Sequence, residues 1–190
     1  MEIIEKENPS LMFFPEICQK LSTILNNSDY FTIDNKLIKP LWKAFLFNDG
    51  SMTVFLNNLL NNNLQFQLIS SEIHSITTLP ELDLIYKLTG LSIDGKMVKR
   101  IINFHTDNQI IMEAISYWNA DIYKEVFGDN LNAPIGKVMI EKNIEYFRRI
   151  KTIYRFEDKF IRFSYYVIRG KQAFLLLEIL YEGVLNNFLC

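Results

Sequence analysis

The chain has 190 residues, 49% of them hydrophobic, and a formal charge of −2. This length and composition favour one folded domain, residues 1–190, with its own hydrophobic core. The balance of 20 basic and 22 acidic residues argues against a nucleic-acid-binding surface. No apolar run approaches the roughly 18 residues of a membrane span, so we expect a soluble protein without a membrane partner.

Neither end of the chain carries a recognisable processing or cross-linking signal. The N-terminal sequence MEIIEKENPS is acidic and polar, unlike a secretory signal or a transit peptide. Cys18 and Cys190 are too few and too far apart for a disulfide framework or a zinc motif, which favours a reducing compartment.

The first part of the chain is predicted to be helical. Pro15 and the apolar residues spaced four apart after it predict a helix that ends near residue 27. The segment PLWKAFLF, residues 40–47, predicts a second helix. Ser51 or Asp49 is a suitable cap for a third helix, which ends near Leu60.

The rest of the chain is predicted to be mainly extended. Asn119 and Gly128 are placed to begin and end a short helix between strands, and residues 134–136 are predicted to form a connector. Early helices followed by strand hairpins indicate an α+β fold with an antiparallel sheet and helices on one face. The predicted strands are residues 64–73, 97–105, 109–117, 144–156, 159–168 and 172–181.

The last of these strands contains the only charge in an otherwise apolar run. In KQAFLLLEILYE, residues 171–182, Glu178 shares a strand face with Phe174, Leu176 and Leu180. A carboxyl in such surroundings must be neutralised, hydrogen-bonded or turned towards a ligand. We expect its apolar neighbours to raise its pKa, which suits a group that shuttles a proton.

The sequence has no metal-binding or nucleophilic motif. His74 and His105 are its only histidines, and we interpret His105 as a residue that flanks a hairpin turn. There is no G-x-S-x-G, no H-x-x-H and no G-x-G-x-x-G, so we expect neither a metal nor an organic cofactor. The basic run at Arg148, Arg149 and Lys151 is typical of a solvated face.

Six short motifs, in their order and spacing, resemble the chorismate lyase-like family, whose members include bacterial chorismate–pyruvate lyases and a reading frame of red-algal plastid genomes. The resemblance covers about residues 40–182. The motifs are DGSMT at 49–53, RIINF at 100–104, EAIS at 113–116, PIGK at 134–137, EYFRR at 145–149 and LLLEILYE at 175–182.

This resemblance implies a compact antiparallel sheet of about six strands with helices on one face and a ligand cavity between them. It implies elimination of pyruvate from chorismate, giving 4-hydroxybenzoate, with no cofactor or metal. The expected partner is a small aromatic acid, and the expected state is a monomer. The location it implies is the plastid stroma or the bacterial cytoplasm.

The resemblance also assigns ligand contacts to residues of this chain. Met52 corresponds to a residue that touches the ligand ring, and Ile135 to one that provides a backbone contact. Glu178 corresponds to the carboxyl at the ligand's polar end and is the predicted catalytic group. Ser70 stands where the best-known branch of the family has an arginine for the ring carboxylate.

Ser70 cannot neutralise a dianion such as chorismate, for which a bidentate arginine is the natural partner. Arg100, Arg162 and Lys137 are the cations that could take its place. We expect Arg100 to do so, because residues 97–104 should lie near the sheet centre.

Two other functions fit the same resemblance. The fold is similar to the small-molecule sensing domain of some bacterial transcription regulators, although the first 40 or so residues are too few and too acidic for a winged helix. A member that keeps the fold without the activity is the third hypothesis, since the carboxylate-binding arginine is missing.

Overall fold

The structure, a computed structural model, describes residues 40–48, 50–61, 63–75, 95–107, 109–128, 133–156 and 158–189. The predicted helix that ends near residue 27 lies outside these ranges. The described elements are α1 (Pro40–Leu46), α2 (Met52–Leu59), β1 (Gln65–Ser75), β2 (Lys96–Thr106), β3 (Gln109–Asn119), α3 (Ala120–Phe127), α4 (Ile135–Glu141), β4 (Tyr146–Phe156), β5 (Lys159–Ile168), β6 (Lys171–Tyr181) and α5 (Glu182–Leu189).

The six strands form one sheet in the order β1-β2-β3-β6-β5-β4. Every neighbouring pair is antiparallel, and among the described strands each neighbouring pair except β3–β6 is consecutive in the chain. The α+β class with an antiparallel sheet of six strands is thereby confirmed.

The central position of β6 explains its apolar composition on both faces. It lies between β3 and β5, and Leu175 and Leu177 on one face are as buried as Phe174 and Leu180 on the other. A strand that is buried on both faces has no polar alternation. Glu178 is therefore placed in the middle of the sheet, where a charge needs a partner.

The helices pack on the sheet face that carries Phe174, Leu176 and Glu178. Aromatic side chains of α1, including Trp42 and Phe45, join Leu56 of α2 and Phe127 of α3 in one core with that face. Trp42 lies 4.7 Å from Phe160 of β5, measured between ring centroids. The core therefore lies between the helices and this face of the sheet.

Two local predictions differ from the structure. Residues 134–136 were expected to form a connector, but Pro134 precedes the first turn of α4. Proline fits there because its φ is already helical and its missing N–H has no intrahelical acceptor. Helix α5 follows β6 directly and was not predicted from the sequence.

Helix α3 begins at the predicted cap, which gives a direct test of local stability. Asn119 Oδ1 accepts hydrogen bonds from Asp121 N at 3.0 Å and Ile122 N at 3.1 Å. We expect Asn119→Ala to lower the free energy of unfolding by about 1 kcal/mol, because both amides lose their acceptor. Asn119→Asp, which keeps the acceptor, should unfold at the wild-type urea concentration. Equal midpoints for all three proteins would show that the cap contributes nothing.

Candidate active site

A cavity lies between the sheet and the first turns of α2 and α4. The centre of a water molecule can reach about 40 Å³ of the cavity, which is several times the roughly 10–15 Å³ that one buried water needs. Among the described residues, most of the lining is apolar and Glu178 is the only charged member. The described lining residues are Ser51, Met52, Thr53, Ile102, Phe104, Met112, Ala114, Ile135, Gly136, Met139, Tyr146, Tyr166, Leu176 and Glu178.

The register of the central strands places Glu178 at this cavity. Ala114 of β3 lies directly beside Glu178, and Arg162 of β5 lies beside it on the other side. Ile102 of β2 continues the same row. The small side chain of Ala114 leaves open space next to the carboxyl, and that space is part of the cavity.

Two buried arginines hold Glu178. Arg162 Nε donates to Glu178 Oε2 at 2.7 Å, and Arg148 Nη2 donates to the same oxygen. The three side chains are almost fully buried, with exposed fractions of 1% for Arg148, 0% for Arg162 and 2% for Glu178. Among the described residues, no hydrogen bond reaches Glu178 Oε1, so one oxygen of the carboxylate remains available to a ligand.

The same arginines attach the α1–α2 connection to the sheet. Arg162 Nη1 donates to the carbonyl oxygens of Phe45, Leu46 and Asn48, at 3.3, 3.0 and 3.3 Å. These carbonyls lie at and just after the end of α1, where intrahelical donors are lacking. Arg148 Nη1 donates to Gly50 O at 3.2 Å, just before the cavity residues Ser51 and Met52.

Glu178, Arg148 and Arg162 form a buried ion cluster, and the charges of the two arginines keep Glu178 ionised. Burial favours its neutral form, but the attraction of Arg148 and Arg162 outweighs burial and lowers its pKa below the ordinary value. The expectation of a raised pKa was therefore wrong. The sequence shows the apolar neighbours of Glu178 along its own strand. It does not show that Arg148 and Arg162, from β4 and β5, lie beside the carboxyl.

The start of α2 is packed closely against the start of α4. Ser51 caps α2 by accepting a hydrogen bond from Val54 N at 3.3 Å. A Cβ atom on Gly136 would lie only 2.4 Å from Ser51 Oγ. Glycine in the PIG sequence therefore permits the two helix ends to meet at the cavity.

Tyr166, which lines the cavity from the sheet, belongs to an aromatic stack. Tyr166 stacks on Phe174 at 4.1 Å, and Phe174 stacks on Trp118 at 3.8 Å. Burial raises the pKa of Tyr166, so its hydroxyl stays protonated at neutral pH and can donate a hydrogen bond. The guanidinium of Arg148 lies 5.3 Å from the centre of the same ring.

The structure brings three of the five predicted site residues together. Met52, Ile135 and Glu178 all line the cavity. Ser70 and Arg100 do not. A bulge between Leu68 and Ser70 pairs Ser70 with Ile101, so its side chain lies on the sheet face opposite Glu178.

The candidate replacement cations occupy three different environments. Arg100 is on the cavity face, but its Nη2 donates to Ala133 O at 2.6 Å and its guanidinium lies 4.9 Å from the Phe127 ring centre. Burial lowers the pKa of Arg100 to about 10. Lys137 is 64% exposed beside Glu141, whereas Arg162 contacts Glu178.

Arg148 was missed by the sequence analysis, and its assignment to a solvated face was wrong. Its side chain is buried, because β4 directs it to the same face as Tyr166, its partner on β5. The strand alternation was the available signal, since Arg148 lies two residues after Tyr146. Within the described residues, no three His, Cys, Asp or Glu side chains could hold a metal ion, and no helix is long and apolar enough to cross a membrane.

The ion cluster predicts how stability depends on pH. A carboxyl whose pKa is lowered by folding contributes stability above its unfolded value, near 4.5, and loses it as the pH falls further. We expect the free energy of unfolding to fall below about pH 4.5, with a shallower slope in Glu178→Gln. That variant should also lose about 3–5 kcal/mol at neutral pH, because two buried cations lose their counter-ion. The free energy of unfolding is measured by urea titration at each pH. If it fell with the same slope against pH in both proteins, this assignment would be contradicted.

Solved structures that align with this chain include the following two proteins. PhnF from Mycobacterium smegmatis aligns with a TM-score of 0.50 and 8% identity, over 88% of this chain and 95% of that one. YydK from Bacillus subtilis, described as a possible transcriptional regulator, aligns with a TM-score of 0.42 and 11% identity, over 62% of this chain and 57% of that one. At such identities the likeness to PhnF shows the fold alone.

No curated protein matches the chain in sequence. The sequence profile of one family does, over residues 46–168, which is more than half of the chain. The match includes both arginines of the ion cluster as well as Met52 and Ile135. The chain belongs to the family described as chorismate pyruvate-lyase Rv2949c-like.

Proposed function

We propose that the chain eliminates pyruvate from chorismate and releases 4-hydroxybenzoate. The observation that carries this proposal is the shared cavity of Met52, Ile135 and Glu178. These are the residues to which the resemblance assigns the ring contact, the backbone contact and the polar end of the ligand. The family match is in keeping with the same chemistry.

The cavity has walls suited to a ring that becomes aromatic. Phe104, Met112 and Leu176 provide apolar surface, and Met52 is buried at the start of α2. An apolar site that excludes water holds the enolpyruvyl side chain in one conformer and prevents competing hydrolysis.

The carboxylate of Glu178 is proposed to bind the hydroxyl of the ligand. Its Oε2 atom is occupied by Arg148 and Arg162, which leaves Oε1 to accept a hydrogen bond. A carboxylate with a lowered pKa is a strong acceptor but a weak base. Glu178 would thus position the carbon that bears the hydroxyl, in place of the proton-shuttle role expected from the sequence.

The start of α2 is proposed to bind the ring carboxylate. The amides of Met52 and Thr53 lie in the first helical turn, where no intrahelical acceptor exists. The positive end of the helix dipole favours an anion at this position. The ligand would then span the cavity from α2 to Glu178, with its ring against Met52.

The proposed reaction needs no external electron donor or acceptor. The bond between the ring and the ether oxygen breaks, and the carbon that bears the hydroxyl loses its proton. The electrons of that C–H bond complete the aromatic ring. The side chain leaves as the enolate of pyruvate and takes up one proton on its methylene carbon, which balances the proton lost from the ring. The enzyme therefore mainly orients the substrate and excludes water.

Binding without turnover is the alternative function. The lowered pKa of Glu178 favours it, because this carboxylate, the one charged group of the described cavity lining, is a poor proton acceptor. Such a protein would be an aromatic-acid sensor or carrier with the same ligand and the same contacts.

Incubation with chorismate separates these functions. We expect 4-hydroxybenzoate and pyruvate in equal amounts, measured by chromatography and by a coupled pyruvate assay. Tight binding of 4-hydroxybenzoate with no product would favour the sensor. Absence of both product and binding would reject the cavity as a site for aromatic acids.

A matched pair of variants tests whether the cavity is the site. Ala114→Leu places a larger side chain into space that is already empty, so we expect loss of turnover by at least about 10²-fold with the fold retained. Ala44→Leu makes the same change on the exposed side of α1 and should keep wild-type turnover. Equal turnover in the two variants, with circular dichroism unchanged, would place the reaction elsewhere.

A further inference from the structure

The buried charges next to the cavity do not cancel. Arg148 and Arg162 share Glu178 as their carboxylate partner, and all three side chains are at most 2% exposed. In the part of the chain that the structure describes, no other carboxylate forms an ion pair with either arginine. Two cations and one anion leave one positive charge in excess. An uncompensated charge in a buried site is unfavourable, so an anion nearby would be stabilised.

The cavity is the space where such an anion can lie. Glu178 separates the arginines from the cavity, and it is the only charged residue that the described part of the chain contributes to the lining. Alone, this carboxylate would repel an anionic ligand. The excess charge of the arginines reverses that effect. Arg162 Nη2 is also buried without a hydrogen-bond partner among the described residues, so the cluster retains an unused donor.

We propose that Arg148 and Arg162 determine the specificity of the site, because their joint excess of positive charge selects an anionic ring ligand over a neutral one of the same shape. This inference rests on the proposed function, since it takes the same cavity as the ligand site. Ser70 stands at the position of the family's carboxylate-binding arginine and carries no charge. Arg148 and Arg162 supply the positive charge that Ser70 lacks. They act through Glu178 and at a distance, and so are positioning residues.

The hydrogen bonds of the cluster keep these charges in place. Arg162 is fixed by three carbonyl oxygens at the end of α1, and Arg148 by Gly50 O and by Ser164 Oγ at 3.2 Å. Charges that are already oriented need no reorganisation when the ligand enters. A flexible surface lysine such as Lys137 would not have this property.

Two ligands of equal shape and different charge test the inference. 4-Hydroxybenzoate is an anion at neutral pH and 4-hydroxybenzamide is neutral, while both keep the ring and the hydroxyl. Titration calorimetry gives a Kd for each, and their ratio isolates the effect of charge. A destabilised variant binds both ligands more weakly, but its ratio stays unchanged. For the wild-type protein we expect the benzoate to bind at least about tenfold more tightly.

Variants of the cluster should move this ratio in opposite directions. Arg148→Gln removes one positive charge and should reduce the preference for the benzoate about tenfold, whereas Arg148→Lys should largely keep it. Glu178→Gln removes the negative charge and should increase the preference. Lys151→Gln removes an exposed cation from the same strand and serves as the control, with no change expected.

Each outcome decides the inference. A wild-type protein that binds both ligands equally well would overturn it, without any variant, and would leave the cavity as the ligand site. A ratio that is the same in Arg148→Gln and Glu178→Gln would overturn it as well. A wild-type protein that binds neither ligand would reject the proposed function and this inference together.

Discussion

Both the sheet and the cavity depend on the ion pairs that Glu178 forms with Arg148 and Arg162. It lies in the central strand, where burial would be prohibitive for an unpaired charge. Its two guanidinium partners also bind the end of α1 and the residue before the α2 cap. One ionic contact in the middle of the sheet therefore positions the helical wall of the cavity as well as the acceptor inside it.

Glu178 is buried among apolar residues, as the sequence suggested, but its pKa is lowered, where the sequence suggested that it would be raised. A carboxyl among leucines would have a raised pKa and could move protons, whereas Glu178 is held ionised by Arg148 and Arg162. A site built in this way favours orientation over proton transfer. The proposed elimination from chorismate would suit such a site, because formation of an aromatic ring already drives that reaction.

Local patterns in the sequence were sufficient to predict most of the fold. Alternation and turn residues predicted the strands to within a few residues, and Asn119 and Ser51 cap their helices as expected. The site was harder to predict because its ion pairs join residues 16 and 30 positions apart. The helical start at Pro134 was missed for a related reason, since packing against Ser51 rather than propensity holds it there.

The absence of an arginine at position 70 has a geometric explanation in this chain. The bulge after Leu68 turns Ser70 to the sheet face opposite the cavity, while Ser71 faces the helices and hydrogen-bonds with Tyr123 Oη at 3.0 Å. An arginine at 70 would carry its charge to the wrong face. In the inference proposed above, the positive charge comes instead from Arg148 of β4 and Arg162 of β5, on the other side of Glu178. If the cation lies on these two strands, the direct contact between an arginine and the ligand carboxylate is replaced by the electrostatic field of a buried ion cluster, which reaches the ligand past Glu178.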